Sequence, residues 1–133
     1  MDAHTRLEVR QRAGNRCEYC RLRQQDEQDN PFHIEHIIAK QHGGSDDLGN
    51  LSLACSQCNA IKGPNLSSID PDTGLLTRLF HPRKDRWEDH FRRDGAYILG
   101  ITEVGRTTAW LLCFNDADNL HQRELLLQLG ELD

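Results

Sequence analysis

The sequence has no apolar run near the roughly 20 residues that span a bilayer, and residues 1–16 are charged throughout, without the apolar core of a signal peptide. A cytoplasmic protein with no membrane partner is therefore expected. Internal repeats and low-complexity tracts are absent as well. Positive charge is scarce: 16 Lys and Arg stand against 21 Asp and Glu, a net charge of -5. That balance by itself argues against a nucleic-acid partner, because phosphate binding releases counterions only where cations neutralise the backbone. At 133 residues the chain can build one modest core and is too short for two of ordinary size.

The charge that is present is unevenly placed. Residues 1–23 carry Arg6, Arg10, Arg12, Arg16, Arg21 and Arg23 against Asp2, Glu8 and Glu18, and residues 78–93 carry six further cations against three acids, so each stretch is net +3. Acidity collects in the tail, where Asp116, Asp118, Glu124, Glu131 and Asp133 face Arg123. The basic stretches suit either a solvated face or phosphate contact.

Five cysteines fall at Cys17, Cys20, Cys55, Cys58 and Cys113. Two Cys-x-x-Cys pairs predict a tetrahedral thiolate zinc site, each pair presenting two sulfurs from one tight turn. A reducing cytosol disfavours disulfides, and two pairs suit zinc better than thiol redox chemistry. With all four positions filled by protein, such a zinc holds the fold and cannot activate water. Catalysis then needs a second centre. Cys113, in "WLLCF", reads as a buried small hydrophobe.

Thr5 to Glu8 has capping-box spacing and Gly14 supplies a stop, which predicts a helix over 6–13. Residues 22–31 read as a loop, "FHIEHII" (32–38) as a strand, Gly43-Gly44 and Ser45-Asp46-Asp47 as a turn-rich loop, and "NLSLAC" as a second extended segment. A helix then opens at the second pair, with Cys55, Cys58, Asn59 and Lys62 on one side and Gly63-Pro64 ending it. Strand, loop, strand and short helix make a ββα unit. Residues 65–74 read as a linker, Trp87 and Phe91 as anchors of an amphipathic helix, "AYILGIT" as a strand, and 106–115 and 118–129 as helices. The expected class is α+β, with a module over 1–64 and an α/β extension over 65–133 packed on the same domain.

Hydrolysis of a phosphodiester needs a nucleophilic hydroxide, neutralisation of the phosphate and stabilisation of the departing oxygen. One Mg²⁺ or Mn²⁺ and one histidine can supply these, and such an ion needs few protein ligands. Glu35 and Asn59 offer a carboxylate and a carboxamide oxygen, and His36 offers an imidazole that accepts a proton at cellular pH. In a regular strand Glu35 and His36 point to opposite faces, so joint action requires the strand to end, twist or bulge there. The competing pair is His33 with Glu35, which share a face. Lys62, Lys40, Arg16 and His33 are candidate nucleic-acid contacts.

Glu35-His36, Gly43-Gly44, Asn50-Leu51 and Cys55-x-x-Cys58-Asn59-x-x-Lys62-Gly63, in that order, resemble the HNH endonuclease family in the variant where asparagine replaces the last histidine. The likeness covers about residues 15–63. It implies a ββα-metal (His-Me finger) core, metal-dependent nucleic-acid cleavage, with DNA as the expected substrate, His36 as general base, Glu35 and Asn59 as metal ligands, Asn50 as the residue that fixes the loop, and Cys17, Cys20, Cys55 and Cys58 as zinc ligands. Glu35 stands where aspartate is common, and Asn59 favours Mg²⁺ or Mn²⁺ over softer metals. The acidic overall charge leaves room for a homodimer or a partner protein to assist DNA binding. The alternative function is a zinc-stabilised nucleic-acid-binding or adaptor module that does not cut.

Overall fold

The computed structural model describes residues 1–132, which form two compact units: residues 1–66 with 81–85, and residues 67–80 with those from 86 onward. No helix among the described residues is long and apolar enough to cross a membrane.

The first unit begins with helix α1 (Ala3–Arg12). Its cap is Asp2 rather than Thr5: the Asp2 carboxylate accepts the Thr5 amide at 2.8 Å, which satisfies one of the orphan donors of the first turn. Arg10 and Arg12 stand in the last turn, where they complement the helix dipole. Both also donate to strand carbonyls, Arg10 to Phe32 and Arg12 to Leu51. Part of the N-terminal basic charge is thus spent on structure. Strands β1 (His33–His36) and β2 (Leu51–Ala54) pair antiparallel, and α1 packs on both through the fully buried Val9. Every residue of β2 is buried, so this strand is covered on both faces.

Helix α2 (Ser56–Lys62) follows and packs against both strands. Its N-cap is Cys55, whose sulfur accepts the Cys58 amide, and it ends at Gly63 with φ 49° and ψ -134°, a backbone state that L side chains avoid. The segment 81–85 belongs to this unit through an ion pair between Arg83 and Glu18.

In the second unit the expected linker is structured. Strands β3 (Ser67–Ile69) and β4 (Leu76–Arg78) form a hairpin over residues 67–78. Its turn is held by Asp70, which is fully buried and takes a two-pronged contact from Arg106 at 2.9 and 3.2 Å. The Trp87/Phe91 helix shrinks to one turn, α3 (Trp87–His90), because Phe91 already opens strand β5 (Phe91–Asp94). The two rings still meet, at 5.0 Å between centroids. β5 pairs with β6 (Tyr97–Gly100), and helices α4 (Glu103–Leu111) and α5 (Ala117–Gln128) follow. Gly105 lets α4 approach closely, since a Cβ there would lie 1.9 Å from the His90 carbonyl oxygen. Phe80, Phe91 and Phe114 stack edge-on or tilted in the core. Cys113 is exposed instead of buried, because the chain turns at φ 55° as it leaves α4 and directs its neighbours Leu112 and Phe114 inward.

Candidate metal centre and active site

The knuckle at Cys17–Cys20 is closed by backbone hydrogen bonds, Arg21 amide to Cys17 carbonyl and Cys17 amide to Leu22 carbonyl, with Arg21 in the left-handed region at φ 70°. In each pair the first sulfur accepts the amide of the second cysteine, Cys20 to Cys17 at 3.5 Å and Cys58 to Cys55 at 3.4 Å. Glu18 ties the knuckle to β2, exchanging hydrogen bonds with the Leu53 amide and carbonyl.

All four sulfurs are buried and lie within 4.8 Å of one another. Cys20 and Cys55 are 3.8 Å apart, close to the edge of about 3.8 Å expected for a tetrahedron with metal–sulfur bonds of about 2.3 Å. The donor set and its spacing fit zinc. Hydrogen bonds from Cys17, Cys20 and Cys58 draw Cys55 toward the thiolate, while the same cluster pushes the Cys20 and Cys58 thiols up. Among the described residues this is the cluster of metal-binding groups.

The second centre departs from expectation at Glu35. The register runs unbroken from His33 opposite Ala54 to His36 opposite Leu51. No bulge re-aims the strand, so Glu35 turns inward and His36 outward. Glu35 is 4% exposed. Its Oε1 accepts hydrogen bonds from the Tyr19 hydroxyl and the Ser52 hydroxyl, each at 2.7 Å, and its Oε2 lies 2.6 Å from the Lys62 ammonium. Burial, and then the neighbouring Glu35 charge, push the Tyr19 phenol well above its ordinary value, so it remains a donor. Lys62 also donates to the Ile37 carbonyl at 2.9 Å and is 2% exposed. It therefore cannot touch a phosphate, contrary to the surface role expected for it. A divalent ion at Glu35 would have to take the place of this ammonium. The carboxylate as positioned does not fit that ion, and Asn59, half-buried on α2, stands without it.

His36 faces the loop of residues 37–50. Its Nε2 lies 2.7 Å from Asp46 Oδ1, and Lys40 Nζ lies 3.3 Å from the same oxygen. Asn50 fastens that loop at three points: its Oδ1 accepts the Ile38 amide at 2.9 Å, and its Nδ2 donates to the carbonyls of Ile38 at 3.0 Å and Ser45 at 2.8 Å. Gly44 is required beside it, since a Cβ there would fall 1.7 Å from the Ile38 carbonyl oxygen.

The remaining candidates are dispersed. His33 is exposed, with Nε2 3.4 Å from Ser56 Oγ. Because it projects to solvent while Glu35 is enclosed, the two do not form a ligand pair. Arg16 is half-buried, its guanidinium 3.4 Å from the Arg21 carbonyl. Asp46, Tyr19 and Ser52 were not anticipated. The one sequence signal for Asp46 is its position two residues after Gly-Gly, in the loop that begins beside His36.

Comparison with curated proteins and with solved structures gives no match for the chain. Residues 17–65 match the family model described as HNH endonuclease, a stretch that holds both cysteine pairs, His36 and Asn50.

Proposed function

We propose that the protein is an HNH-type endonuclease that hydrolyses DNA phosphodiester bonds, with a ββα-metal core held by structural zinc and with His36 as general base. The observation that carries this reading is the outward imidazole of His36, 22% exposed, beside a loop pinned by Asn50 within the matched residues. The imidazole takes a proton from water, the oxygen left behind forms a bond to phosphorus, the bond to the departing sugar oxygen breaks, and that oxygen takes a proton from solvent. HNH nucleases use divalent metals, and Mg²⁺ or Mn²⁺ is the proposed ion here. When bound, such an ion would neutralise charge on the phosphate. Asn59 remains a proposed anchor for it; Glu35, held by Lys62, is not placed for that role.

One observation favours a second reading. With its acidic residue locked in an ion pair, the module has the features of a zinc-stabilised nucleic-acid-binding or adaptor unit that does not cut. Supercoiled plasmid incubated with the protein and Mg²⁺ or Mn²⁺ separates the two. Nicked or linear product that disappears with EDTA and with His36→Ala is expected; intact plasmid under every metal condition would leave the binding module.

A further inference from the structure

We propose that Asp46 is the positioning residue for His36: its carboxylate takes the Nε2 hydrogen and thereby leaves Nδ1 as the nitrogen that accepts the proton of water. This rests on the reading of His36 as the base. A neutral imidazole carries one N–H, and the partner of one nitrogen decides which tautomer forms. An ionised carboxylate can only accept, so at 2.7 Å from Nε2 it selects the Nε2–H form.

Asp46 is held ionised by its surroundings. The hydrogen bond from His36, followed by that from Lys40, holds its carboxyl below the usual carboxylate range. Lys40 Nζ lies 3.3 Å from Oδ1 and the amino group of Met1 3.9 Å from Oδ2. The adjacent negative charge also favours the imidazolium that forms when the proton arrives.

The loop around Asp46 is preorganised for this contact. Asn50 holds the carbonyl of Ser45, the residue just before Asp46, and grips Ile38, two residues beyond His36, through both its amide and its carbonyl. One asparagine side chain therefore fixes the distance between the ends of the loop that carry the acid and the imidazole. Asn50 then acts on the chemistry at one remove, by locating Asp46 and not by touching substrate.

The test uses the ¹⁵N-labelled protein over a rising pH series, continued until the His36 ring ¹⁵N shifts stop changing, so that the neutral ring is the form compared. Histidine ring ¹⁵N shifts are recorded for wild type, Asp46→Ala and Asp46→Glu, with His36 assigned by its loss in His36→Gln. Wild type should show the Nε2–H tautomer at His36, Asp46→Ala a mixture, and Asp46→Glu a return toward wild type. On plasmid, Asp46→Ala should lose about tenfold to hundredfold in kcat with KM within about twofold, and Asp46→Glu should recover most of it. An unchanged tautomer in Asp46→Ala overturns the proposal whatever the activity. A wild-type protein that cleaves nothing overturns the base role of His36, and with it the catalytic part, while the ring spectra report the pairing separately.

Discussion

The ammonium of Lys62, on α2, lies 2.6 Å from the carboxylate of Glu35, on β1, with both side chains almost fully enclosed. Two opposite charges are thereby used to lock the helix that follows the second cysteine pair onto the strand that precedes His36. Burying both ions costs several kcal/mol each, offset by their attraction and by the donors Tyr19 and Ser52 on the other oxygen.

Removing one partner alone is expected to be severe. Lys62→Met should lower unfolding stability by about 3–5 kcal/mol, because it strands a buried carboxylate. Pairing it with Glu35→Met should recover much of that loss. Urea unfolding of the two single variants and the double variant checks this, and additive losses would mean that the two charges are not coupled.

The sulfur cluster should behave as a structural metal centre. Purified protein is expected to hold about one zinc per chain, and Cys55→Ser should lower zinc content together with cooperative unfolding. Elemental analysis and circular dichroism on the same samples decide it. A zinc-free variant with an unaltered melting curve would count against a structural role.

Two changes test the loop that faces His36. Asn50→Ala deletes contacts to Ile38 and Ser45 and should cost about 1–3 kcal/mol. Gly44→Ala places a methyl group 1.7 Å from the Ile38 oxygen, against backbone that cannot yield without moving the strand end. Both should lower plasmid cleavage by tenfold or more while zinc stays bound. Thermal melting and metal content separate loop damage from global unfolding.

In the second unit the Asp70–Arg106 pair sets an acid limit. The Arg106 hydrogen bond, and then the Asp72 amide and Thr73 hydroxyl, depress the Asp70 carboxyl below its ordinary value. A depressed folded-state pKa means that the stabilisation is fully present above the unfolded value of about 3.9 and is lost as pH falls through the folded one. The stability advantage of wild type over Asp70→Asn should therefore be level from about pH 5 to 7 and shrink below about pH 4. Chemical unfolding at stepped pH values measures it, and a constant gap would remove the linkage.

Legibility differed from element to element. The α2 face carrying Cys55, Cys58, Asn59 and Lys62 could be read because helical spacing is a local property. The loop asparagine could be placed from its order after Gly-Gly, although the atoms it grips could not. The β3–β4 hairpin was missed because its strands have three residues each, too few for an alternation to stand out. Trp87 and Phe91 at helical spacing suggested a longer helix, and pairing of Phe91 with Gly100 across β5–β6 overrode it.

By itself the sequence determined the four-cysteine donor set and the strand–loop–strand–helix order, since each depends on residue type and short spacing. Tertiary structure decided which charges meet. An unbroken strand register sent Glu35 inward to Lys62, 27 positions later in the chain, and His36 outward to Asp46. A side chain's partner depends on which face of the strand it occupies and on what packs there. Neither is encoded in the spacing of neighbouring residues.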